Sequence, residues 1–214
     1  MAETARPRPS RTMKSSPDRV GRLARIFLLG ATGREARLRA ELAGALDAGV
    51  PLVQIKEAFL QLYLFAGFPR MINAFLSLAE VPGSSGGARR ERTSPTRLRS
   101  RGLRNCRAIY GSQTLPMLAR MEEMHPELPR WIVEEGYGKV LGRRWLSAKD
   151  RELISLPVLA WQGVKTQLYS HVRGALRLGN RPEEVSSIFA FCSGLIPASR
   201  HRLALGILRD LGAA

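Results

Sequence analysis

Apolar residues recur along most of this chain at three- and four-residue steps, while period-two alternation and β-branched runs are nearly absent. That pattern predicts an all-α protein. In "VKTQLYSHVRGALRL", Val164, Leu168, His171, Ala175 and Leu178 fall on one helical face. The element before it begins at a capping-box-like Ser147 with Asp150 and runs to about Gln162, where Gly163 allows a bend. Gly179 reads as a position just past a helix end, and Pro182, Glu183 and Glu184 form a favourable first turn for the next helix. "SQTLPMLARMEEM" and "PELPRWIVEEGYG" predict two further helices. No uninterrupted apolar run reaches the roughly 18 to 20 residues that span a bilayer, so the pattern predicts no membrane crossing.

Sliding the chain along itself reveals a repeat. At a constant offset of 130, Leu23 meets Leu153, Gly33 meets Gly163, "GAL" at 44–46 meets "GAL" at 174–176, Gly49 meets Gly179 and Phe59 meets Phe189. The register holds without a gap for almost forty residues, which predicts an internal duplication into paired units rather than a solenoid. The expected organisation is a disordered tail over 1–18, a first helical unit over 19–80, a basic flexible linker over 81–107 and a second helical unit over 108–214.

Charge changes this picture only locally. The formal net charge is +16 and the sequence pI about 11.3, which invites a nucleic-acid reading. Much of the excess lies in the tail and in "RRERTSPTRLRSRGLRNCR", eight arginines against one glutamate, directly after "PGSSGGA". No nucleic-acid motif accompanies it, so a solvated connector is the expectation and a nucleic-acid partner is not. The N-terminal stretch is Arg- and Ser-rich and has no apolar core of the secretory kind, so the expected compartment is the cytoplasm. Cys106 and Cys192 form no CxxC and read as ordinary thiols, neither a zinc site nor a redox pair.

"YGKVLGRRWLSAKDREL", "QLYSHVRGALRLG" and "PEEV" resemble the carboxymuconolactone decarboxylase / AhpD-like alkylhydroperoxidase family, and "AGALDAGVPLVQIKEAFLQLYLFAGFPRMINAF" is similar to that family's C-terminal stretch. The resemblance implies an all-α, AhpD-like helical domain that assembles into oligomers. The redox branch of the family uses CxxCxxxH with a glutamate on the preceding helix. Here Val164 and Gln167 stand where its cysteines would be, while His171 and Glu152 keep the acid–base positions. A peroxidase needs one thiolate to attack and a second thiol to resolve, so the peroxidase reading fails on chemistry.

The decarboxylase branch implies a cofactor-independent lyase acting on a small anionic lactone or enol acid. Its site needs a general acid, a hold on the substrate anion and a dry pocket. His171 is the candidate acid, Glu152 its orienting carboxylate and Gln167, one turn earlier, a hydrogen-bond donor to a lactone carbonyl. Arg144 and Arg173 (and Arg143) are candidate carboxylate anchors, Tyr137 and Trp161 candidate walls; no metal site is expected. His125 and His201 carry no assigned role. In the first unit Arg22, Arg37 and Glu41 replace Glu152, Gln167 and His171, so at most one active unit per chain is expected. The alternative is a non-catalytic helical oligomer that binds a ligand or partner. For either, the duplication leads to the expectation of units that pair within the chain and of a trimer of chains, with a monomer containing an internal pseudo-dimer as the alternative.

Overall fold

The computed structural model describes residues 17–87 and 90–212; most of the expected tail therefore lies outside the described residues. Every regular element among them is helical: α1 (Pro17–Thr32), α2 (Glu35–Asp47), α3 (Leu52–Ala79), α4 (Pro95–Tyr110), α5 (Thr114–Met124), a short α6 (Leu128–Arg130) leading into a π-helix (Trp131–Val140), then α7 (Ala148–Gln162), α8 (Lys165–Arg177), α9 (Pro182–Phe191) and α10 (Ala198–Gly212).

The predicted punctuation acts as expected. Ser147 Oγ accepts the Asp150 amide at 3.1 Å and starts α7, and Gly163 ends it at φ 75°. Pro182 opens α9, where the Glu184 carboxylate accepts the Arg181 amide at 2.7 Å. Several backbone features recur 130 residues apart. α2 and α8 span equivalent residues, α3 and α9 begin at Leu52 and Pro182, and Gly33 and Gly49 share positive φ with Gly163 and Gly179.

α1 and α7 lie against each other at the centre and are buried along most of their length. Leu23, Ile26, Phe27 and Leu28 of α1 and Ile154, Leu156 and Val158 of α7 are inaccessible and belong to one continuous core with α2, α3, α8, α9 and α10. Burying these apolar side chains is the main driving term for the fold. Polar bonds then set the register. Arg19 pairs with Asp150 at 2.8 Å, and the buried Arg151 pairs with the equally buried Glu57 at 2.8 Å, while Gln61 Nε2 donates to Ser155 Oγ at 2.7 Å. Losing one member of a buried pair typically costs about 3–5 kcal/mol, so these contacts lock α3 onto α7.

Two expectations are corrected. The basic linker is not a flexible strand of chain over its whole length, because residues 95–110 form α4. Ser94 accepts the Arg97 amide, Pro95 occupies the first turn, and Gly102, Cys106 and Ile109 form a buried edge. The arginine heads leave that edge for solvent or for acids, as Arg101 does in its two bonds to Glu91 at 2.8 and 3.0 Å. Gly102 allows α4 to touch the π-helix backbone: a Cβ there would lie 1.9 Å from the Val133 carbonyl oxygen.

The second correction concerns α3, which by length and composition alone is apolar enough to cross a membrane. It breaks at Gly67 (φ 80°), two residues before Pro69. Its first half is buried through Ile55, Ala58, Phe59 and Leu62, whereas Phe68, Ile72 and Leu76 beyond the break stand 58%, 49% and 60% exposed.

Candidate functional site

A cavity of about 820 Å³ opens between the π-helix, the α7–α8 corner and the end of the first half of α3. Proline chemistry shapes one wall. Pro69 has no amide hydrogen for the Phe65 carbonyl one turn earlier. That carbonyl instead accepts Gln162 Nε2 at 2.7 Å, which ties the end of α7 to α3. The Phe65 ring then packs edge-on to His171, with centroids 5.7 Å apart. On the opposite wall the wide turn of the π-helix, with Leu141 N–H bonding back to the Gly136 carbonyl at 2.9 Å, brings Ile132, Glu135, Gly136 and Tyr137 to the cavity. Such turns are frequent at functional sites.

His171 lines this cavity, and its Nδ1 lies 2.7 Å from Glu152 Oε2. An ionised carboxylate can only accept, so Nδ1 carries the proton and Nε2 is the nitrogen available to a ligand. The Glu152 side chain is 2% exposed and that of His171 13%. Burial by itself would lower the imidazole pKa, but the charge and the hydrogen bond of Glu152 together outweigh it, and the net direction is upward from 6.5. Gly174 makes room for the pair: a Cβ there would stand 3.2 Å from Glu152 Oε2 and 2.7 Å from Ile109.

Behind Glu152, the Tyr110 and Tyr137 hydroxyls share a 2.6 Å hydrogen bond. Burial foremost holds the Tyr110 phenol at about 12, and the fully enclosed Tyr137 well above its ordinary value. Across the cavity Tyr63 donates to Glu135 at 2.6 Å. Burial first, then the Glu135 bond and charge, raise the Tyr63 pKa, while the Tyr63 bond, with Lys139, holds Glu135 below the usual carboxylate range.

Of the residues singled out in the sequence, His171, Gln167 and Tyr137 line the cavity, as does Val164, and Glu152 supports His171 from behind. Four do not line it. Arg144 is exposed, with its guanidinium over the Trp145 ring at 4.9 Å. Arg173 lies on α8 beside the Tyr169 ring, and Trp161 packs its side chain against the core. Arg143 is committed to Glu57 at 2.9 Å. Helical periodicity places a residue on a face and says nothing about which cavity that face meets.

Tyr63, Phe65, Trp131, Glu135 and Gln162 were missed. Pro69 was the readable signal for Gln162, since a proline in an apolar helix frees a carbonyl that some donor must meet. Nothing in the sequence announces a π-helix. Both cysteines are buried and, chiefly through burial, held near 12, away from thiolate chemistry.

Residues 126–209 match the family model of the carboxymuconolactone decarboxylase family. The chain is also similar to two proteins named Peroxisomal protein 2. The one from Schizosaccharomyces pombe is 28% identical over 137 residues, covering 63% of this chain and 64% of the relative. The one from Saccharomyces cerevisiae is 24% identical over 163 residues, covering 63% of this chain and 58% of the relative. The chain thus spans less than two thirds of the length of these curated relatives. Both relatives are named as peroxisomal proteins.

Proposed function

We propose that this chain, whose residues 126–209 belong to the carboxymuconolactone decarboxylase family, is a cofactor-independent acid–base enzyme acting on a small lactone or enol acid. The observation that carries the reading is the 2.7 Å His171–Glu152 pair in a cavity whose would-be thiol positions hold Val164 and Gln167. In this reading the C–C bond to the substrate carboxylate breaks and carbon dioxide leaves. The electron pair passes into the conjugated carbonyl, and Nε2–H of the His171 imidazolium protonates the resulting enolate carbon. Glu152 stays ionised throughout and holds the ring, and the imidazole regains its proton from solvent. Gln167 binds the carbonyl oxygen.

The lining constrains the substrate. It contains no Arg or Lys, and its single carboxylate, Glu135, is held by Tyr63 and Lys139. A substrate with one anionic group fits, with protonated His171 as its counter-charge, and the bulk of the molecule against Phe65, Ile132, Leu141 and Leu159. Leaving a lone carboxylate in such apolar surroundings also favours its loss as neutral carbon dioxide.

An ultraviolet-absorbance screen of lactone acids and enol acids tests this. His171→Ala is expected to lower turnover about a hundred- to ten-thousandfold. Full activity in that variant would overturn the assignment. The same missing arginine anchor favours a second reading, a binding protein without turnover. It predicts saturable ligand binding in the cavity with no product. The names of the relatives support a peroxisomal site of action.

A further inference from the structure

The two helical units are related by more than their helices. A second, smaller cavity of about 340 Å³ lies in the first unit, lined by Arg22, Arg25, Leu29, Arg37, Ala40, Glu41, Gly44 and Leu195. Leu29, Arg37 and Glu41 stand, at the offset of 130, where Leu159, Gln167 and His171 line the first cavity. The relation also holds in reverse. The first cavity borrows Phe65 from the first unit, and the second borrows Leu195 from the second. The smaller cavity is therefore the counterpart of the His171 site, formed by the same corner of the fold.

Its chemistry is inverted. Where Glu152 on α7 faces His171 on α8, Arg22 on α1 faces Glu41 on α2. Glu41 is already answered by Arg25, whose Nε donates to it at 2.9 Å and whose Nη1 donates to the Phe191 carbonyl at 2.9 Å. Arg22 reaches Glu41 only at 3.8 Å, beyond a hydrogen bond. Arg37 makes no hydrogen bond or ion pair among the described residues. Two guanidinium groups with donors to spare thus share a cavity with one neutralised carboxylate.

We infer that this second cavity is a binding site for a small organic carboxylate, held by Arg22 and Arg37, with its carbon skeleton on Leu29, Ala40, Gly44 and Leu195. Planar guanidinium forks match a carboxylate, and an apolar floor distinguishes an organic acid from a bare inorganic anion. The site has no acid–base pair, so it binds without turnover. This inference does not rest on the chemistry proposed for His171.

Calorimetric titration of the full chain at low ionic strength, with succinate and separately with inorganic phosphate, tests it. Succinate is expected to bind saturably, with affinity lowered about tenfold or more in Arg37→Ala, each charged hydrogen bond being worth roughly that. Arg37 is exposed, so that variant keeps the fold; Arg22→Gln should act in the same direction. In His171→Ala the binding should be unchanged, and the Ala40 and Gly44 amide resonances should shift on saturation. No saturable succinate binding, or saturation by phosphate alone, would overturn the inference. So would binding lost in His171→Ala and untouched in Arg37→Ala, since the acid would then occupy the other cavity.

Discussion

Replacing Glu152 by Gln keeps the shape of the side chain and removes its charge, which isolates what the carboxylate does to His171. The contact is a 2.7 Å charge-assisted hydrogen bond with the acid 2% exposed. Such bonds contribute about 1.5–3 kcal/mol. The glutamine keeps an oxygen that can accept the Nδ1 hydrogen and removes the charge, the larger of the two interactions that raise the imidazole pKa, so the His171 pKa should fall from its raised native position.

Nuclear magnetic resonance of the imidazole protons reads this directly, since the chain has three histidines, His125, His171 and His201. The linked stability has a definite sign. Because the folded pKa is raised, the stabilisation from protonated His171 is fully present below pH 6.5 and fades as pH rises through the folded pKa. Unfolding titrations of native protein and variant should accordingly differ most on the acid side of that window and converge above it, apart from any pH-independent offset. A variant imidazole titrating within about 0.3 unit of the native one would refute the coupling and, with it, the role given to Glu152.

Gly102→Ala should destabilise the fold by about 1–3 kcal/mol or more in urea melts, because its Cβ would collide with the Val133 carbonyl; an unchanged midpoint would deny the close packing of α4 on the π-helix. Joint replacement of Cys106 and Cys192 by Ser should leave turnover unchanged, since neither thiol reaches the cavity; peroxide turnover lost in that variant would restore the peroxidase reading. Brief trypsin treatment should cut at the exposed Arg92 before it cuts inside α4; mass spectrometry showing first cleavage at Arg101 would mean α4 is not docked. Phe68, Ile72 and Leu76 form an exposed stripe one turn apart, and exposed apolar stripes mark interfaces. Light scattering should therefore find a trimer of chains, and Ile72→Glu should dissociate it; a native monomer would refute that use of the stripe.

The all-α fold, the bounds of α7 and α8 and the start of α9 were legible because their signals are local: a serine cap, two glycines, one proline. The pairing of Glu152 with His171 was legible only through the family resemblance, which implies a glutamate on the helix before the histidine. Two other features were not. Arginines from Arg97 to Arg107 read as solvated charge because composition averages over faces, whereas α4 is stabilised by the few small and apolar residues between them, Gly102, Cys106 and Ile109. The anchors proposed at Arg144 and Arg173 failed for a related reason. A guanidinium at the end of a long side chain is placed by whatever ring or acid it meets, and here these are Trp145 and Tyr169.

The cavity also changes what the first unit is for. With Arg22, Arg37 and Glu41 in place of the acid–base residues it is expected to hold no active site of its own, yet Tyr63, Leu64 and Phe65 come from it and line the His171 site. Their position depends on the break at Gly67 and Pro69, on the Gln162 bond to the Phe65 carbonyl, and on the Glu57–Arg151 pair one turn and a half earlier in α3. The first unit's α3 is held by bonds to α7 and to the π-helix. Each unit thus completes the other's cavity. One of the two carries the His171–Glu152 pair and the other the guanidinium groups of Arg22 and Arg37, so the chemistry of the two cavities can differ while the helices that form them remain tied together.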